Sequence, residues 1–534
     1  MGLFAMRRRS ITEGEDAPLS RGLLLGMLLV IGGLAFIVQT ELQIPTLIIA
    51  SVGAVGLVIL MLVSLARPEI PLYLLAAYLP FSKQLAGDFG GVMTALNLTN
   101  LFLIIIFLGC LTGAATAQQR GGGASWLHWP VALIAFWGFL SFGAAWSTEG
   151  LGYFKREISE FKRWTDPVIF YFLFFHLVRD RQRWKNLVLI MMTSVVVVAG
   201  MAVWEYQNIA SSSSLETSRV YGIADNPNSL GAFFVYYMFL FAGFWLSRLG
   251  QAKRWWLLVP FLLCFRGIMV TFSRGAYLAF AAGCLGLTFA RKKVLFALTV
   301  ALLAFAVMNP WLLPKGIQYR WGATFRDQNT QLTDAYGMSG VEAEVDTSSA
   351  LRLVIWQGAQ RMIADHPWVG VGLGRFQKHI LTYAPELPQA MDAHNAYILA
   401  AAEQGIPMLV FFLLMVLSML WMTYRLYRKE QDPFIRATAL GWFGGLSGLV
   451  LANMFGSRMN SAEVGGYFWV LAALMARAEI WQRHAANERP QQAGGSRPAL
   501  GRPAVRSRPA GSSVRPDAPY PRGRGPRSWS RQDV

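Results

Sequence analysis

Stretches of about 20 residues with scarcely a charge, long enough to cross a bilayer as helices, recur along this chain from Arg21 to Trp481. Inside hydrocarbon every backbone N–H and C=O must find its partner within the protein, so only helices and closed barrels can span. Barrel strands would alternate apolar and polar residues, and these runs do not. The expected fold is therefore an all-α polytopic integral membrane protein with about 12–14 transmembrane helices. Candidate spans lie near 21–40, 43–65, 69–84, 96–116, 128–146, 166–179, 186–206, 229–247, 255–271, 275–290, 294–310, 395–424, 437–456 and 464–482, the third and sixth being short. Only 15% of the residues are charged, against about a quarter in soluble proteins.

Charge in the loops orients the spans. Basic residues fall in alternate connections, at 179–185, 248–254, 291–293 and 425–436, and the N-terminal arginines and the C-terminal tail share that side. Positive loops mark the cytoplasm. Both termini are then cytoplasmic, with residues 1–20 as the N-terminal segment and 483–534 as a basic tail, rich in Arg, Pro, Gly and Ser and expected to be disordered. Between them lie helices and short loops over 21–310, with an outer loop at 207–228. A large external loop follows at 311–393, and the last helices span 394–482. The basic segment 153–164 falls on the outer side, against the pattern. Tyr153, Phe154, Ile158 and Phe161 in it have helical spacing, so an amphipathic helix on the outer membrane surface would reconcile it. The net charge of +18 lies largely in the tail and short loops. It points to anionic lipid headgroups rather than nucleic acid. Cys110, Cys264 and Cys284 all lie in apolar runs, as small core residues do.

The polar chemistry gathers on the external side. His394, at the mouth of the span beginning "HNAYILAAAEQGIP", has Asn395 beside it and Glu403 further along, at a depth where carboxylates are costly. A histidine at a membrane interface is by itself more often an anchor than a catalyst. Arg219 in the outer loop, Arg274 between two spans and Arg352 in the large loop share its side. Each alone could be a solvated or snorkelling residue. Together with His394 they suggest an anion site, because guanidinium presents a planar, permanently charged fork to phosphate oxygens. Arg266 is placed deeper, where it is expected to face the bundle interior, pairing with a carboxylate or extending the anion site. The glycine-rich "GVGLGRF" at 370–376 lacks a Walker lysine and reads as a turn. No nucleotide fingerprint or metal-ligand spacing is found.

The ordered motifs "NPNSLGAFF", "TFSRGAYL", "HPWVGVGLGRF" and "HNAYILAAAEQGIP" resemble the O-antigen ligase and O-antigen polymerase superfamily, which includes bacterial protein O-oligosaccharyltransferases. The resemblance implies a helical fold of the membrane glycosyltransferase (GT-C-like) class in the bacterial cytoplasmic (inner) membrane. It implies an undecaprenyl-diphosphate-linked glycan donor and transfer to an acceptor hydroxyl on the periplasmic or external face, with no cofactor and no required metal. The acceptor would be a glycan, lipid A core or protein. By the same resemblance His394 is catalytic and Arg219 and Arg274 bind the diphosphate, while Arg352 and Glu403 match less closely. Arg266 and the basic tail stand outside the pattern. Ligase-type transfer is the first reading and polymerisation of lipid-linked repeat units the second. A lipid-linked glycan flippase is a rival of another class, but it would need charges near the bilayer midplane and often shows symmetric halves.

Overall fold

The computed structural model describes most of residues 56–494. Residues 57–58, 65–66, 68, 86–97, 112–122, 210–218, 248–251, 315–316, 319–346 and 459–460 lie outside the described residues, as do 1–55 and 495–534. The expected first span, most of the second, the N-terminal segment, most of the C-terminal tail and part of the large loop therefore fall outside them; residues 483–494 of the tail, expected to be disordered, are helical. The chain divides into two units, Met1–Ala485 and Ala486–Val534. The first carries every helix that positions the site.

Among the described residues there is no strand. The longer helices, in chain order, are α1 (Glu69–Tyr78), α2 (Leu98–Leu111), α3 (His128–Glu149), α4 (Leu151–Leu177), α5 (Arg181–Ile209), α6 (Pro227–Ser247), α7 (Leu258–Thr271), α8 (Arg274–Arg291), α9 (Lys293–Met308), α10 (Thr347–Asp365), α11 (Phe376–Tyr383), α12 (Ala396–Lys429), α13 (Pro433–Ala452) and α14 (Ala462–Gly494). Six helices among the described residues are long and apolar enough to cross a membrane: α3, α5, α6, α7 with its preceding turn, α12, and α13 with the turn after it. The apolar stretches Leu98–Gly109 and Lys293–Met308 are shorter. The protein is an all-α, multi-pass membrane protein. In α9 no residue is buried, and Leu298, Leu302 and Phe305 stand exposed, a surface suited to lipid and not to water.

Two short expected spans resolve differently. The third is the ten-residue helix α1, continued by a 3-10 turn at Leu79–Phe81 and a short helix at Ser82–Leu85, with Leu72, Tyr73, Leu75 and Ala76 buried. The sixth is the second half of α4, and the basic segment 153–164 is its first half. That segment is therefore not a separate helix lying on the membrane. Tyr153 is fully buried and its hydroxyl donates to Leu373 O at 3.3 Å, while Phe161 stacks on Phe142 with centroids 4.2 Å apart. Tyr153 and Phe161 of the apolar face thus meet protein, while Ile158 is exposed.

Helix α13 sets the frame, packing through glycines against α6 and α8. A Cβ on Gly445 would lie 2.2 Å from Tyr236 O, one on Gly441 2.5 Å from Phe239 O, and one on Gly448 2.8 Å from Ala279 O. Without a hydrophobic drive between helices in lipid, such close backbone approach is a main source of association. Along α13, contacts move from Gly243 to Tyr236 on α6 and from Gly283 to Ala279 on α8. It thus runs antiparallel to both. The N-termini of α6 and α8 and the C-terminus of α13 consequently share one end of the bundle. At the opposite end the basic connections meet: Arg181 pairs with Glu430 at 3.3 Å and Lys185 with Asp432 at 2.8 Å, and Arg291 donates to Leu246 O.

Candidate functional site

The end where α6 and α8 begin is built from turns. Phe272 adopts the left-handed conformation (φ 49°) that closes α7, and Ser273 then caps α8, accepting from Ala276 N. Arg274 is thereby the first residue of α8. Arg219 is drawn to the same turn. Its Nε donates to Thr271 O at 3.1 Å and its Nη2 to Asn228 Oδ1 at 3.0 Å, while Val220 N donates to Val270 O. The turn abuts the end of α13, since a Cβ on Gly275 would lie 2.9 Å from Phe455 Cβ.

Helix α12 enters at this end too. Tyr397 donates its hydroxyl hydrogen to Val450 O at 2.9 Å. Asn395 is the N-cap of α12, its Oδ1 accepting from Tyr397 N and Ile398 N at 2.9 and 3.1 Å. Of the two roles open to it, ring orientation or helix start, the contacts supply the second. His394 precedes the cap with φ 48°. A non-glycine residue held there is strained and must be fixed by its surroundings. The ties are His394 N to Asp392 Oδ2 at 3.0 Å and Trp356 Nε1 to the buried Ala393 O at 2.9 Å.

The His394 side chain is half-buried, with Nδ1 3.8 Å from Asp392 Oδ2. Burial holds its pKa below the ordinary histidine value; the Asp392 charge opposes this, and the charges of Arg352 and Arg458 add to it. A lowered pKa leaves the imidazole neutral and able to accept a proton near pH 7. Arg352, Asp392, His394 and Arg458 are thus one electrostatic cluster. Arg458 was not singled out in the sequence. It lies just beyond α13, where Nη1 and Nη2 donate to Ala452 O (3.4 Å) and Phe455 O (2.9 Å). The only hint in "FGSRMNS" was an arginine after a span. Ala396 and the neighbouring Ser457 line one cavity of ≈ 70 Å³, together with Glu403, Gln404, Phe412 and Trp469.

Glu403 does something else. Gly405 (φ 84°) breaks α12 just ahead of Pro407, which leaves carbonyls of the preceding turn without helical partners. The 366–376 loop replaces them. Val371 N donates to Ala402 O at 2.9 Å and Gly372 N to Glu403 O at 3.0 Å. Ile406 N donates to Pro367 O at 2.8 Å, and Trp137 Nε1 to Gln404 O at 2.9 Å. The glycine-rich loop does cradle an acidic group, but an internal one: the buried Glu403 carboxyl accepts from Phe376 N at 3.1 Å and from Gly374 N. Gly370, Gly372 and Gly374 all have positive φ, and a Cβ on Gly405 would lie 1.9 Å from Trp368 O. The loop is also anchored to α3 and α4. Arg375 pairs with Glu149 at 2.5 Å and Lys378 with the buried Glu157.

Arg266 departs from expectation. It is exposed rather than turned into the bundle, and its guanidinium sits 4.9 Å over the Tyr206 ring, a cation–π contact instead of an ion pair. Its cavity is lined by Tyr206, Met269, Phe272 and Tyr277 and includes none of the other site residues. Of the other histidines, His128 bonds the Tyr171 hydroxyl at 2.8 Å and His379 sits beside Arg375. Among the described residues no group of three or more His, Cys, Asp or Glu is placed to hold a metal ion.

Residues 259–413 match the family model described as O-antigen ligase, a stretch that includes Arg274, Arg352, His394 and Glu403. An O-antigen ligase of Pseudomonas aeruginosa is 27% identical over 256 residues, covering 47% of this chain. Both matches support the O-antigen ligase superfamily. The chain spans about half the length of that relative, 55%. Arg219 and Arg458 lie outside the residues matched by the family model.

Proposed function

We propose that this protein transfers a glycan from an undecaprenyl-diphosphate donor to an acceptor hydroxyl, as an O-antigen ligase-like enzyme of the bacterial inner membrane acting on the periplasmic side. The observation that carries the reading is the convergence at one end of the bundle: Arg219 bonded into the turn before Arg274, that turn packed on the end of α13, and His394 in one cluster with Arg352. The basic loops at the far end support cytoplasmic termini. The N-termini of α6, α8 and α12 face the same end as the arginines, so helix dipoles and guanidiniums favour an anion there together.

In this reaction the acceptor oxygen attacks the anomeric carbon of the donor sugar. The bond from that carbon to the diphosphate oxygen breaks, and the lipid diphosphate leaves with the electron pair. Arg219 and Arg274 stabilise the negative charge developing on the leaving group, with Arg352 assisting. His394, neutral at working pH, takes the proton from the acceptor hydroxyl. The strained turn fixes the imidazole before substrate arrives, which is the preorganisation a general base needs.

The test is direct. Purified protein in lipid vesicles receives an undecaprenyl-diphosphate-linked glycan with a lipid A core acceptor. The expected product is the glycan on lipid A core, with release of undecaprenyl diphosphate. Lengthening of the lipid-linked chain instead would identify a polymerase, and no covalent product from either acceptor would defeat the proposal.

A further inference from the structure

Arg458 has no part in the chemistry just described, yet its position calls for an explanation. A guanidinium removed from water is costly unless an opposite charge compensates it. Arg458 is 9% exposed, and among the described residues no carboxylate forms an ion pair with it. Its two described hydrogen bonds go to the neutral carbonyls of Ala452 and Phe455. They satisfy the end of α13 and occupy only part of a five-donor fork. The charge is left unbalanced. Asp392 acts on it, but Asp392 is shared with His394, and Arg352 opposes the balance.

The backbone is shaped to hold this side chain at the site. A Cβ at position 456 would lie 2.1 Å from Arg458 Cζ, so Gly456 lets the guanidinium fold across the chain. Ser457 lines the same cavity as Ala396, two residues beyond His394. On the other side, Phe455 packs on Gly275, next to Arg274. The 455–458 segment thus touches the arginine turn through Phe455 and the His394 cluster through the Arg458 charge.

We propose that Arg458 is a further phosphate-binding residue, closing the diphosphate site from the end of α13. The proposal rests on reading the chain as a lipid-diphosphate-dependent transferase. Asp392 is the carboxylate that acts on both Arg458 and His394, and it is shared between them. A diphosphate ester, multiply charged and rich in acceptor oxygens, suits the remaining donors of the buried Arg458 fork, whereas a neutral sugar would leave its charge uncompensated.

Initial rates against donor concentration, at fixed acceptor, test this with Arg458→Gln and Arg458→Lys in vesicles. Arg458→Gln should raise the donor KM by about tenfold or more and leave the acceptor KM unchanged. Arg458→Lys should lie between, keeping the charge without the fork. The acid limb of the rate–pH profile should also move upward in Arg458→Gln. Of the charges acting on His394, those of Asp392, Arg352 and Arg458, this variant removes one that disfavours protonation. A merely capping arginine would lower thermal stability and leave the donor KM unchanged. Should Arg458→Gln fail to fold, Arg458→Lys, which can still donate to the α13 carbonyls, carries the donor KM test alone. A folded variant with wild-type donor KM overturns the assignment. A wild-type chain that transfers nothing overturns the underlying reading instead.

Discussion

The stretch from Asp392 to Pro407 holds two ionisable groups at the mouth of one helix, and their surroundings separate them. His394 is half-buried on a left-handed turn, beside Asp392 and within reach of the Arg352 and Arg458 charges. Glu403 is buried, its oxygens taken by backbone N–H groups of the 374–376 loop. The histidine has a lone pair to offer a substrate. The carboxylate is occupied with holding the loop against the break at Gly405. On the proposed reading, a costly ionisable residue near the membrane serves chemistry in one case and architecture in the other, and the hydrogen-bond partners differ accordingly.

The sharpest way to break this contrast is at His394. His394→Ala should lower transfer by about 100-fold or more, the usual contribution of a general base, with little change in thermal stability. Full transfer in the vesicle assay would remove it from the proton-transfer role. Arg274→Lys comes next. It preserves charge at the first turn of α8 but loses the fork, so an activity loss of about tenfold is expected, and normal kinetics would remove the clamp. The Gly405 side should respond in stability instead. Gly405→Ala places a Cβ 1.9 Å from Trp368 O at φ 84°, and should destabilise the protein by about 2–4 kcal/mol. Glu403→Gln keeps one acceptor oxygen for the loop amides but loses the second, so a smaller cost of about 2 kcal/mol is expected. Thermal unfolding in detergent reads both. A catalytic loss in Glu403→Gln as deep as that of His394→Ala, without loss of stability, would erase the distinction.

Much of this was legible in the apolar runs, because spanning length and loop charge are imposed by the bilayer itself. His394, Arg219 and Arg274 could be singled out because polar residues at span ends on one side are few. What escaped depends on contacts between distant segments. Nothing local to "FGSRMNS" shows that Arg458 folds back over Gly456 to meet a cluster from α10 and α12. "GVGLGRF" reads as a turn, but its amides find their acceptor in the Glu403 carboxyl, which only the fold reveals. The 153–164 segment alternates faces as a surface helix would, yet its Glu157 pairs with Lys378 and its Arg156 shares Glu149 with Arg375. Arg266 shows the limit from the other side. Depth alone predicted a buried partner, and an aromatic ring satisfied it at the surface.

Asp392→Asn gives the smallest and most specific effect. Asparagine keeps a side-chain oxygen for the His394 N–H, now 3.0 Å from Asp392 Oδ2, so the strained turn should survive. What disappears is the negative charge that favours protonated His394 against burial and the two arginines. The His394 pKa should fall further, because the protonated form loses its one attractive neighbour in the cluster. Transfer by a neutral histidine is lost as pH drops through its pKa. The acid limb of the rate–pH profile should therefore move to lower pH in Asp392→Asn, opposite to its movement in Arg458→Gln. Rate at neutral pH should change little, since His394 is already neutral there. Opposite shifts from two substitutions on either side of one imidazole would be hard to produce by general loosening of the fold. Identical profiles in both variants would mean that His394 does not set the acid limb.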